Sequence, residues 1–107
     1  LVSEDNPRTS LSITVRHHDR PIPGTEVYVK FFATEFPGYE LEDVADTTLV
    51  ADADGEVKLN DFPLGNHWFV GIGYDEAIRE LVIGNLDLRF DLTNLQHDTI
   101  LYVSEEH

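Results

Sequence analysis

The chain has 107 residues, with 21 acidic side chains against 7 basic ones and a formal charge of −14. That is one domain's length, and the charge excludes nucleic acid and anionic membrane surfaces as partners of the chain as a whole. Cysteine is absent, which excludes disulfides, thiolate metal sites and cysteine nucleophiles and leaves the redox compartment open. At 41% hydrophobic residues the composition is that of a soluble folded domain, and no apolar run approaches the ~20 residues that cross a bilayer as a helix.

Residues 1–9 carry Ser3, Glu4, Asp5, Asn6 and Pro7 without an apolar period, so they are expected to form a mobile lead-in to a single domain over 10–104. Leu11, Ile13 and Val15 then alternate with polar residues, the signature of a strand with one buried face. Two prolines and a glycine turn the chain over 17–24. Val27, Val29 and Phe31 follow on one face of a second strand, with Tyr28, Lys30 and Phe32 on the other. The acidic segment 33–46 is broken by Pro37-Gly38 and reads as a long loop with one helical turn over 41–45. Leu49 to Ala51 and Val57 to Leu59 flank Asp54-Gly55, which predicts a hairpin. After a turn at 63–66, Trp68, Val70, Ile72 and Tyr74 share a face at period two, so this run is expected to be the central strand, with Trp68 in the core. A turn at 75–77, a short strand closed by Gly84-Asn85, a strand on Leu86, Leu88, Phe90 and Leu92, and a last strand over 99–103 complete the chain. Seven or eight short strands without helical periodicity predict an all-β fold, a two-layer antiparallel Greek-key β-sandwich.

Three motifs carry a resemblance. Residues 21–29, PIPGTEVYV, are similar to the G-x-P-V-x-G-A-x-V-x-V segment that opens the second strand of transthyretin-like β-sandwich modules. These include the carboxypeptidase regulatory-like and Cna-B-like domains. Residues 51–57, ADADGEV, resemble their T-D-x-D-G-x-F/V turn, and Phe62-Pro63-Leu64-Gly65-Asn66-His67-Trp68 resembles their L-P-x-G-x-Y turn. Each motif encodes only a turn, but the three occur in register. The resemblance implies a transthyretin-like fold and a non-catalytic accessory, structural or adhesive module, periplasmic, extracellular or attached to the cell envelope. A chain beginning at Leu1 is also what removal of a secretion signal leaves. Arg20 stands where the family commonly has glycine, and the acidic insertion 33–46 is atypical. The hydroxyisourate hydrolase of this architecture uses a C-terminal Y-R-G-S, whereas this chain reads Tyr102-Val103-Ser104-Glu105, so an enzyme of that type is not expected.

Several groups are candidates for binding. Asp52, Asp54 and Glu56 alternate around a turn, with Glu40, Glu42, Asp43 and Asp46 in the preceding loop, and such oxygen clusters suit calcium; turn chemistry alone also explains Asp54-Gly55. His17, His18, His67, His97 and His107 offer imidazoles to zinc or copper. Adjacent histidines on a strand face opposite ways, so His17 and His18 share a metal only if the turn rotates them; exposed, turn-forming histidines are the simpler expectation. By parity Tyr28, Phe32 and Phe69 fall opposite the core positions, where they would stack on a carbohydrate or protein partner unless the loop 33–46 covers them. Neither a Gly-x-Ser-x-Gly elbow nor a phosphate loop occurs. The leading expectation is a non-enzymatic β-sandwich binding or structural module without a cofactor. The alternative is a calcium-stabilised adhesion or carbohydrate-accessory domain, and strand edges permit a homodimer.

Overall fold

The computed structural model describes residues 9–39, 41 and 44–105. The strands run in order β1 (Ser10–His17), β2 (Arg20–Pro21), β3 (Glu26–Lys30), β4 (Thr47–Val50), β5 (Glu56–Asn60), β6 (Gly65–Asp75), β7 (Glu80–Phe90), β8 (Gln96–Tyr102) and β9 (Ser104–Glu105). One sheet has order β4-β3-β6-β7-β9. In the other, β1 is central, with β5 and then β2 along one edge and β8 along the other. This is the expected two-layer β-sandwich. Among the described residues its pairings are antiparallel except one: β1 and β8 run parallel over seven registered pairs, from Ser10 with Gln96 to Arg16 with Tyr102.

The apolar alternation of β1 buries Leu11, Ile13 and Val15 between the sheets, against Val27, Val29, Phe69, Val82, Phe90 and Leu101. At the start of β1, the Thr9 hydroxyl donates to the Phe62 carbonyl at 2.7 Å and accepts the Phe62 N–H at 2.8 Å. Thr9 is thus a buried clip instead of the end of a lead-in, while residues 1–8 lie outside the described residues.

Three expectations about strands and faces are corrected. Asp54-Gly55 does not close a hairpin: β4 pairs with β3 in one sheet and β5 with β1 in the other, so this turn carries the chain between layers. Gly55 is required there because its φ is +76° and a Cβ would meet the Pro21 side chain at 2.8 Å. Gly84-Asn85 does not end a strand either, since β7 pairs with β6 over eleven residues straight through it. A Cβ at Gly84 would collide with the Tyr102 carbonyl, so the glycine admits the crossing of β8 into β9.

The third correction concerns β6. Its core-facing positions are His67, Phe69, Gly71, Gly73 and Asp75, all buried, while Trp68, Val70 and Ile72 face the outside of the sheet. Phe69, expected outward, is fully buried among the core side chains. The glycines leave space that Leu101 and Thr25 occupy. The outer face is dry as well, because Tyr39, Leu41 and Ala45 from the loop pack on Tyr28, Trp68, Val70 and Ile72. Where a helical turn was expected, Ala45 N–H donates to the Leu41 carbonyl at 2.9 Å, while residues 42 and 43 lie outside the described residues. Trp68 Nε1–H donates to Asn85 Oδ1 at 3.1 Å, and Asn85 Nδ2–H to the Tyr39 hydroxyl at 3.1 Å, which ties the loop to the sheet.

Candidate functional site

Both sheets place titratable groups at the pole where β1 ends. His17 follows Leu11, Ile13 and Val15 in phase, so the alternation that builds the core carries its imidazole inward, where it is 2% exposed. Asp75 ends the core-facing row of β6 and is buried too. Its Oδ2 accepts the His17 Nδ1–H at 2.7 Å, and the Arg20 guanidinium donates to both carboxylate oxygens, at 3.3 and 2.9 Å. Asp75 Oδ1 also accepts the Ala77 N–H at 2.9 Å, so one carboxylate stabilises a turn and bridges the layers.

On the other side of the ring, Glu105 of β9 brings Oε1 to 3.3 Å from His17 Nε2, an ion pair when the ring is protonated but not an aligned hydrogen bond, and Nε2 is buried with no hydrogen-bond partner. His18 has a left-handed φ of +58°, and this rotates its ring back over His17, with centroids 4.2 Å apart. The turn therefore does bring the adjacent histidines together. Ligand atoms of His17, His18 and Glu105 all lie within 4.8 Å of one another.

The Asp75 hydrogen bond raises the His17 pKa above the ordinary imidazole value; burial opposes the rise and the Glu105 charge adds to it. The same bond holds Asp75 below the usual carboxylate range, aided by the Ala77 amide and Arg20 against the cost of burial. Glu105 is lowered chiefly by its own backbone amide and then by the charge of His17. Chemically, the arrangement holds a cation, a proton at the least, between two carboxylates. A cleft of about 390 Å³ opens beside Arg20, Pro23, Tyr74 and Asp75.

His17 and His18 were among the imidazoles singled out from the sequence; the other candidates lie elsewhere. Asp52 Oδ1 accepts the amides of Asp54 at 2.9 Å and Glu56 at 3.0 Å, which lowers its pKa and commits that oxygen to the turn. Among the described residues Asp52, Asp54 and Glu56 do not gather as His17, His18 and Glu105 do; Glu40, Glu42, Asp43 and His107 lie outside those residues. Tyr28 faces outward as expected but is buried under the loop, whereas Phe32, at φ +60°, is 63% exposed. With Phe69 in the core, the three aromatics share no face. His67, which the expected core position of Trp68 would turn outward, is buried against Phe31, Phe62 and Phe90. Its Nδ1 accepts the Phe32 N–H at 3.0 Å and its Nε2–H donates to the Pro63 carbonyl at 2.6 Å, so it fastens two loops. His17 and Asp75 were missed as a pair, although the phase of the β1 alternation already pointed His17 inward.

Fold and site together define a β-sandwich domain with a buried polar cluster at one pole. No family model matches the chain, and no curated protein matches it. Solved structures share the fold. The major pilin subunit BcpA of Bacillus cereus superposes with a TM-score of 0.64 at 13% identity, over 92% of this chain and 30% of the pilin. A point variant of that pilin gives 0.62 at 13% identity, over 91% and 30%. A DUF3823 family protein from Parabacteroides merdae ATCC 43184 gives 0.54 at 14% identity, over 94% of this chain and 48% of that one. The chain thus spans under half of each of these proteins.

Proposed function

We propose that this domain is a non-catalytic structural module of a secreted or cell-surface protein, of the transthyretin-like and Cna-B-like kind, which transmits tension along the chain. The observation that carries this reading is the parallel β1/β8 ladder. Because the two strands point the same way, the chain enters β1 at one pole and leaves β8 at the other. Tension between these ends shears seven registered residue pairs at once instead of opening them one by one. The likeness to one segment of a pilin supports the same reading.

Force spectroscopy tests it. Pulling between the ends of the domain is expected to need a several-fold larger unfolding force than pulling between cysteines placed at Ser10 and Gln96. Those two residues face each other at the same pole, so that pull unzips the ladder. Equal forces in the two directions would remove the mechanical role. A second reading, contact with a protein or carbohydrate partner, is favoured by the exposed rings of Phe32 and Phe36, at 63% and 43%. Loss of partner binding in Phe32→Ala with an unchanged melting temperature would support it.

A further inference from the structure

We propose that His17, His18 and Glu105 form a site for a borderline divalent transition ion of the Zn²⁺ type, with Asp75 orienting His17 from behind. Three observations on separate elements converge. The first is an imidazole with one committed nitrogen. Asp75 accepts the Nδ1 proton, which in the neutral ring puts the lone pair on Nε2, and that atom is buried without a hydrogen-bond partner. A metal-ligating histidine has this arrangement: one nitrogen held by a carboxylate, the other presented to the metal.

The second is a distance. Nε2 sits 3.3 Å from Glu105 Oε1, where the protonated ring makes an ion pair and where a metal ion can take the place of that proton. Two ligands at about 2.0–2.1 Å from zinc in tetrahedral geometry are about 3.3 Å apart, so the gap already has the span that a shared ion needs. The third is the left-handed turn. It brings His18 onto the same side as His17, and its exposed ring is free to close the remaining distance within the 4.8 Å set. Two imidazoles and one carboxylate suit zinc, copper or nickel better than calcium, which takes 6–8 oxygens. Water supplies the fourth position. The ion would tie β1 to β9, and through Asp75 to β6, at the pole where the chain leaves β8.

The test uses tag-free, chelator-treated protein at neutral pH, with ZnCl₂ titrated by calorimetry and followed by thermal melting. One zinc per chain is expected, with a rise in melting temperature on the order of 10 °C at about one hundred times Kd. Glu105→Gln and His18→Asn, the latter retaining a residue that tolerates positive φ, should weaken binding about a hundredfold, with the zinc-induced rise of each variant measured against its own metal-free melting temperature. Asp75→Asn should weaken it by about 10–100-fold. The absence of zinc binding would overturn the proposal. So would an affinity unaltered in both Glu105→Gln and His18→Asn, which would mean zinc held elsewhere on this acidic surface, or stabilisation by CaCl₂ equal to that by ZnCl₂.

Discussion

His17 Nδ1 and Asp75 Oδ2 meet at 2.7 Å across the two layers of the sandwich, β1 supplying one and β6 the other, with both side chains almost wholly withdrawn from water. A pair held so deeply makes stability depend on pH in a definite direction. His17 has a raised pKa in the folded state, so its contribution is complete below the ordinary imidazole value of about 6.5 and is lost as pH rises through the raised value. Asp75 is lowered, so its contribution is complete above the ordinary carboxylate value of about 3.9 and is lost as pH falls through the lowered one. Chelator-treated protein should therefore gain most from the pair between about pH 4 and 6.5. Urea midpoints across pH, compared with those of Asp75→Asn, isolate this term from the general repulsion of a chain at −14. A wild-type advantage that does not decline on either side of that window would contradict the assignment. Asp75→Ala, which strands the imidazole, should cost on the order of 3 kcal/mol.

Thr9 and Phe62 exchange two hydrogen bonds through a single hydroxyl. Thr9→Val keeps the shape and removes the hydroxyl, leaving a buried N–H and a buried carbonyl without partners, so a loss of about 2 kcal/mol is expected by chemical denaturation. Thr9→Ser keeps the hydroxyl and should lose less than half as much. Equal losses would mean that the methyl group, not the clip, matters.

Gly84 lies under the Tyr102 carbonyl, where an added methyl group meets immovable backbone. Gly84→Ala should cost about 3 kcal/mol or more through overpacking. Gly24→Ala and Gly38→Ala, with open space and only a positive φ to resist them, should cost about 1 kcal/mol each. Thermal melts of the three variants give the ranking; a Gly84→Ala protein no less stable than the other two would place the β8–β9 crossing elsewhere.

Leu41 anchors the loop that covers the outer face of β6, and Trp68 lies beneath that loop. Leu41→Ala should open the loop locally, with red-shifted Trp68 fluorescence and faster hydrogen exchange in the loop, while the inter-sheet core unfolds at nearly its original midpoint. Unchanged emission would show that Trp68 is shielded by the sheet alone.

The central strand illustrates what could be read in advance. Its position and length were legible, since Gly65 and Asp75 bracket a run rich in aromatic and β-branched residues. Its facing was not, because both sides are buried and alternation then carries no phase. Trp68, Val70 and Ile72 pack under a loop, while the core side carries Phe69 together with Gly71, Gly73, His67 and Asp75. His17 was legible in principle from the rhythm of β1; Asp75 and Glu105 were not, because their partners lie 58 residues away for Asp75 and, for Glu105, on a strand of the other sheet.

By itself, the order of side chains determined that this protein is built of strands, where most of them turn, and which face of β1 is dry, because period and turn chemistry act between neighbours in the chain. Only the tertiary structure decided that Asp54-Gly55 joins different sheets, that β1 and β8 run parallel, and that two histidines and two carboxylates converge at one pole. Those outcomes depend on which distant strands pair and which faces a loop covers, and that selection is made by the burial of the whole chain at once.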